Sequence, residues 1–506
     1  MPHCPYRLSL LGAITFGSLL AAQAHGADTA LELQAQEITA AAIDRNESVE
    51  AEQLQRYQAS DLQEVFESNP EVSVAGGPGV AQKLYLRGLE DTLLNISIDG
   101  ASQPGQTFHH TGRIGIEPEL LKRAEVQAGT GDATAGPGAL GGAIRFVTKD
   151  PDDLLRDGEQ LGALLKTGYF SNGEGYKSSA SVFGRFNQNW SALAMTTYQD
   201  QNDFEDGNND DVLGTAARQK LGFAKLVGKL TDEQTLRLSY EKRIDEGERS
   251  QRPQWIPSSF NRLYPLSTER ETWTLNYAWQ PVNNDLLDVE LTTYHTTNEL
   301  EQDGRFGLYF GDTRSTGFDL RNTSRIGAHQ LTYGVDLRDD RTTLGPEGDR
   351  ELDHEDGEVL GVYLQDRYQI TSRLQLDAGL RWTTASNAYW SALPSMNLVA
   401  EITPDFLVRL GAAKVMTRPG LGSLTPGVTV NVSTREAVMA GYDNARKFRD
   451  DILVERFMPG NDFRLLVDTA LSEAYRSGSI EKDYDKYLGG TNDIVKKLFR
   501  VYALPE

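Results

Sequence analysis

Gly136-Pro137-Gly138-Ala139-Leu140-Gly141-Gly142-Ala143-Ile144-Arg145-Phe146-Val147-Thr148-Lys149 is the stretch that decides the fold. Gly136, Gly138, Gly141 and Gly142 give the backbone the freedom of a tight corner, and residues 144–147 read as the strand that leaves it. A phosphate loop is the competing reading, but no strand–G-x-x-x-x-G-K-[ST]–helix context surrounds these glycines. Working upstream, Glu125-Val126-Gln127 is a second strand, and Pro118 starts a short helix with Leu120 and Leu121 as its apolar side. Leu94-Asn95-Ile96-Ser97-Ile98-Asp99-Gly100 alternates cleanly and ends in an Asp-Gly turn signal. Lys83-Leu84-Tyr85-Leu86-Arg87-Gly88 is a further strand behind a glycine-rich turn at 76–79. Ser60 and Gln63 form a capping box for a helix that puts Leu62, Val65 and Phe66 on one face and stops at Pro70. Residues 50–150 are therefore expected to be a small mixed α/β domain.

Four segments in this order resemble the plug of TonB-dependent outer-membrane receptors: Asn69-Pro70-Glu71-Val72-Ser73-Val74, Leu86-Arg87-Gly88, Ile98-Asp99-Gly100, and the glycine-rich closing run. The closing run departs from the family at Arg145-Phe146, where Asn and an aliphatic residue are usual. The resemblance implies Arg87, Gly88, Asp99, Gly100, Gly138, Gly141 and Gly142 as signature positions. It also implies an outer-membrane location, TonB as energy-transducing partner, and a scarce ligand, most often an iron chelate such as a siderophore or haem. Glu37-Ile38-Thr39-Ala40 then resembles the end of a TonB box, the extended segment that pairs with TonB. Strand addition supplies affinity through main-chain hydrogen bonds and asks little of the side chains.

Downstream, the pattern becomes period two. Trp273, Leu275, Tyr277 and Trp279 alternate with polar residues, as do Leu331, Tyr333, Val335 and Leu337, and Leu374, Leu376, Ala378, Leu380 and Trp382. Thr371-Ser372-Arg373 is a tight link, whereas residues 199–211 and 339–358 read as long acidic loops. Short turns on one side and long loops on the other mark an outer-membrane barrel, with aromatics near strand ends as its girdle. The competing reading is a soluble β-sandwich. Residues 160–425 hold roughly a dozen strands, fewer than the 22 of the family barrel, so the fold class expected is mainly β: an α/β plug followed by an incomplete antiparallel transmembrane barrel. The first strand after residue 160 is expected not to pair with the last, near Arg409.

Composition fits this. The net charge of -23, from 73 acidic and 50 basic residues, disfavours nucleic acid. Arg7, an apolar stretch over 8–22 and Ala22-Gln23-Ala24 read as a secretory signal, residues 1–24. The single cysteine, Cys4, lies inside it, so no disulfide or cysteine metal site is expected in the mature chain. Residues 25–49 are Ala- and Gln-rich and read as an exported tail with little that packs.

The end of the chain is of another kind. Phe463, Leu466, Val467, Ala470, Leu471 and Ala474 mark a helical face, and residues 445–506 resemble the last helices of periplasmic amino-acid-binding proteins of ABC importers. The junction falls within 425–445. Three functions follow: a receptor, which the first 420 residues favour; a periplasmic solute-binding or adaptor protein; or a mosaic that performs neither task. No enzyme constellation, cofactor site or metal site is apparent. His109 and His110 are the one histidine pair, in the loop Gln106-Thr107-Phe108-His109-His110-Thr111. They are ligand-contact candidates through imidazole and iron, against the plainer reading of a polar loop packed into the barrel lumen.

Overall fold

The computed structural model describes residues 47–414, apart from 76–78, 104–110, 130–131, 305–306, 347–352, 386–390 and 404–405. The signal segment, Glu37, Ile38, Thr39 and Ala40, the pair His109 and His110, and the tail at 445–506 lie outside the described residues.

The N-terminal domain contains strand β1 (Glu47–Glu50), helices α1 (Ala51–Tyr57) and α2 (Leu62–Val65), and strands β2 (Val72–Val74), β3 (Leu84–Leu86), β4 (Leu89–Glu90), β5 (Leu94–Ile98), β6 (Ala101–Ser102), β7 (Leu121–Ala128) and β8 (Gly142–Thr148). Five of the strands form one sheet in the order β1-β7-β8-β5-β6, and β2-β3-β4 form a second. Among the described strands only β5 and β8 run parallel, with Ile96 opposite Ile144 and Ile98 opposite Phe146. Their alternating residues Leu94, Ile96, Ile144 and Phe146 are buried with Leu62, Val65 and Phe66 of the α2 region, and Phe66 meets Phe146 edge-on at 6.0 Å. Burying large apolar side chains in this way contributes roughly 1.5–3 kcal/mol each.

Two local expectations are corrected. The cap of α2 is Asp61, whose Oδ1 accepts the Glu64 amide at 2.9 Å, while Ser60 donates to the Glu64 carboxylate. The capping device is shifted by one residue because Asp is as good an N-cap as Ser and its neighbour supplies the returning carboxylate. The stretch read as a loosely packed tail ends in β1, which pairs with β7 from Glu47↔Val126 to Glu50↔Arg123 and buries Val49. A four-residue edge strand carries too little periodicity to stand out, and its burial comes from the partner.

Thirteen antiparallel strands follow: β9 (Leu161–Phe170), β10 (Gly175–Arg185), β11 (Trp190–Gln201), β12 (Ala217–Thr231), β13 (Gln234–Ser250), β14 (Leu263–Trp279), β15 (Val289–Gly304), β16 (Gly307–Ile326), β17 (His329–Pro346), β18 (Asp353–Thr371), β19 (Leu374–Ala385), β20 (Ser391–Thr403) and β21 (Phe406–Ala413). Each pairs with its sequence neighbours, and β9 and β21 are the two edges, unpaired with each other. Inward positions such as Leu221, Phe223 and Lys225 are buried, whereas Trp273, Tyr333, Val362, Leu364, Leu380, Trp382 and Met396 stand exposed on the outer face. Tyr240 and Trp273 meet across β13 and β14 in a tilted contact, ring centroids 4.5 Å apart.

Residues 339–358 are a correction too. Most of this stretch is strand, with β17 and β18 in register from Leu344↔Asp353 down to His329↔Tyr368. Crossing a bilayer takes about 9–11 residues per strand. β17 and β18, at 18 and 19 residues, continue well past it. The outward apolar series ends at Leu337 and Leu360, and the next outward residues are Asp339, Arg341 and Glu358. Charge there marks where the sheet enters water, and the ladder continues because backbone pairing is indifferent to side-chain charge.

Candidate functional site

The turn after β5 carries Asp99 and Gly100 at φ 50° and 83°, a left-handed pair that Asp tolerates and Gly accepts freely. The turn aims the Asp99 carboxylate back at the end of β8. Thr148 donates to it twice, from its amide at 2.8 Å and its Oγ1 at 2.6 Å. From the wall, Lys225 of β12 brings a buried ammonium to this point, 3.2 Å from Asp99 Oδ2, 3.2 Å from the Thr148 carbonyl and 3.3 Å from Asp150 Oδ1. Arg237 of β13 completes the cluster, donating to Asp150 Oδ2 at 2.9 Å. Burial pushes the Asp150 pKa up, but Lys225 and Arg237 outweigh it and hold the carboxyl below the ordinary carboxylate range. Asn276 of β14 donates to the Asp99 carbonyl at 3.0 Å, and a Cβ on Gly100 would lie 3.0 Å from Thr292. The plug is thus clamped to its wall through its Asp-Gly turn and the end of its last strand.

Other wall contacts are also mostly polar. Lys177 meets the buried Glu117 at 2.8 Å, Arg338 reaches Ser102, and Gln365 accepts the Ala133 amide at 2.9 Å. One apolar contact, Leu120 among Phe183, Leu193, Met195, Leu221 and Phe223, anchors the side near β10–β12. Beside the clamp a cavity of about 520 Å³ separates β5 and β8 from the wall, lined by Asp99, Arg145, Lys225, Arg237, Asp319 and Arg321 among others. A second cavity, about 70 Å³, lies where Gly79, Val80 and Thr111 of the plug face Arg243, Asp245 and Arg270. Here Arg243 donates to Gln219 at 2.8 Å, Gln219 to Asp245 at 2.7 Å, and Arg270 to Glu241 and the Gly115 carbonyl. A Cβ on Gly115 would sit 2.7 Å from Arg243 Nε. Thr111 directly follows the loop of His109 and His110 in sequence, and Gly79 directly follows residues 76–78.

The remaining signature residues serve backbone geometry. Arg87 and Gly88 form the left-handed β3–β4 turn at φ 50° and 81°, with Arg87 Nε donating to Glu71 at 2.9 Å. Gly138 has φ 77°. A Cβ on Gly141 would strike Leu94, and one on Gly142, at φ 127°, would lie 2.1 Å from the Gln127 carbonyl. Lys225 and Arg237 were not found from the sequence. The available signal was a cation at an inward register position between Phe223 and Val227.

A mixed α/β domain clamped against an antiparallel β-wall with an apolar outer face defines the plug-and-barrel class of outer-membrane protein. The family model described as TonB-dependent Receptor Plug Domain matches residues 39–143, and that described as TonB dependent receptor-like, beta-barrel matches 147–445. The chain belongs to the TonB-dependent receptors, a family of the outer membrane. "Heme transporter BhuA" of Brucella ovis is 28% identical over 347 residues, 67% of this chain and 51% of that protein. "TonB-dependent heme receptor A" of Haemophilus influenzae is 27% identical over 368 residues, 65% of this chain and 49% of that protein. The chain therefore spans about half the length of the curated relatives it matches. Among solved structures, the FrpB iron transporter from Neisseria meningitidis superposes with a TM-score of 0.68 at 22% identity, covering 75% of this chain and 66% of FrpB. The Serratia marcescens hemophore receptor HasR, solved with its hemophore HasA and heme, gives 0.65 at 19%, covering 75% and 64%. These two likenesses concern the fold.

Proposed function

We propose that the protein takes up an iron carrier of the haem class across the outer membrane, with TonB as its energy source. The observation that carries this reading is the similarity to BhuA and heme receptor A, which covers about two thirds of this chain. In family barrels the long-loop end faces outside and the short turns face the periplasm. On that rule the loops 202–216 and 251–262, and the small cavity below them, form the receiving face, while the turns 186–189, 232–233, 327–328 and 372–373 face the periplasm. The Lys225 clamp then lies toward the periplasmic half and keeps the plug seated until it is released. Glu37, Ile38, Thr39 and Ala40 are assigned as the TonB contact, and His109 and His110 as ligand contacts.

The test is growth on haem as sole iron source, in cells whose own haem receptors are deleted. Expression of this chain should restore growth, and Ile38→Pro, which removes a ladder donor, should abolish both growth and crosslinking to TonB. Growth on a ferric siderophore with none on haem would reject the haem assignment.

A further inference from the structure

The loop 251–262, between β13 and β14, differs in charge from the rest of the protein. From Arg249 to Thr268 the chain has no acidic residue, although 73 of its 506 residues are acidic, and within the loop Arg252 and Arg262 are exposed cations. The neighbouring loop 202–216 is the opposite, with Asp203, Glu205, Asp206, Asp210 and Asp211. The basic loop also exposes three large apolar side chains: Trp255 is 50% exposed, Ile256 88% and Phe260 84%. Such side chains normally fold inward in a loop that is free to rearrange.

This loop is held in place. Asn261, only 6% exposed, acts as its staple. Its Oδ1 accepts the Arg252 amide at 2.8 Å, and its Nδ2 donates to the carbonyls of Arg252, Trp255 and Ile256 at 3.1–3.3 Å. Ser258 and Asn261 exchange backbone hydrogen bonds, and Ser250 Oγ donates to the carbonyls of Arg252 and Trp255. The Arg252 guanidinium lies 4.5 Å over the Trp255 ring, which fixes a flat cationic–aromatic surface. At its base, Gln302 of β15 donates to the Ser250 carbonyl at 3.2 Å. Apolar groups held rigid in water bind with little further loss of conformational entropy.

We infer that this loop is a capture site for a flat apolar macrocycle with carboxylates on its edge, the chemistry of a porphyrin. Trp255, Ile256 and Phe260 offer the apolar contact, while Arg252 and Arg262 meet the carboxylates. The inference rests on the haem reading above and deepens it. The loop contains no His, Cys, Met or Tyr, so its contribution does not pass through the metal.

The experiment titrates the full chain in detergent micelles with ferric haem and with metal-free protoporphyrin, reading the Soret band. Ile256→Ser/Phe260→Ser should weaken both by about tenfold or more and leave a ferric hydroxamate chelate unaffected. Both side chains are outside any core, so the far-ultraviolet circular dichroism should not change. Arg252→Gln should weaken protoporphyrin but not its dimethyl ester. Asn261→Ala, which keeps every contact group but removes the staple, should reproduce the loss. Unchanged porphyrin affinity in Ile256→Ser/Phe260→Ser overturns the loop assignment and leaves the haem reading standing. If the unmodified chain binds neither porphyrin, the haem reading falls, and the loop assignment falls with it.

Discussion

Lys225 is withdrawn from water by its position in the wall, and that desolvation is offset only because two carboxylates and a carbonyl surround it. Removing the cation of a buried ion cluster costs up to roughly 3–5 kcal/mol, and here Asp150 keeps Arg237 while Asp99 keeps Thr148. Lys225→Met should therefore loosen the plug by up to that amount, seen as faster hydrogen exchange of the Thr148 amide and greater entry of bulky antibiotics. Unchanged exchange at Thr148 would mean the ammonium holds nothing. Asp150 gives the same cluster a pH dependence. Its folded-state pKa is depressed, so its stabilisation is complete above the unfolded value of about 3.9 and is lost as pH falls through the lower folded value. Asp150→Asn should accordingly lower plug stability at pH 6, with the difference shrinking only as pH falls below the unfolded value of about 3.9 and closing once it passes the lower folded one. At this scale the sequence was half legible. Asp99-Gly100 announces its turn through residue type, whereas the partner of Asp99 lies on a distant strand whose register only the folded sheet defines.

Among the elements, β5 and β8 are the pair most fully written in their residues, because Leu94, Ile96 and Ile98 alternate with polar neighbours and the glycines before Ile144 leave the chain no alternative corner. Phe146 is fully buried at the centre of that pair. Phe146→Ala should remove about 3–5 kcal/mol from the plug. Urea titration followed by exchange protection in β5 and β8 checks this, and a loss below about 1 kcal/mol would mean the core refills the gap. Gly142→Ala should also destabilise β8, since both its φ and the Gln127 carbonyl exclude a methyl group. Elements whose burial comes from elsewhere were harder to read. β1 is apolar at Val49 alone, and the upper halves of β17 and β18 look like loop because their outward residues stand in water.

For the whole molecule, plug-plus-wall architecture was legible because many short motifs had to occur in one order. Strand ends were not, because the boundary between lipid and water changes side-chain polarity without interrupting the ladder. The thirteen described strands leave β9 and β21 as edges. Each unpaired edge group in hydrocarbon costs several kcal/mol, so these thirteen strands by themselves are not a stable span. A polypeptide covering only residues 25–414 should give no heat-modifiable band on gels, and a band that shifts on boiling would show that the thirteen strands close.

The place of β1 at the rim of its sheet has a mechanical consequence. Tension applied to the chain upstream of Glu47 loads β1 first, and β1 is held to one neighbour through four residue pairs. Its rupture leaves β7-β8-β5-β6 assembled and the anchorage of Asp99 and Asp150 untouched. The domain therefore presents its weakest link first: the four residue pairs of β1 stand ahead of the helices and of the strands that carry the Asp99 and Asp150 anchorage.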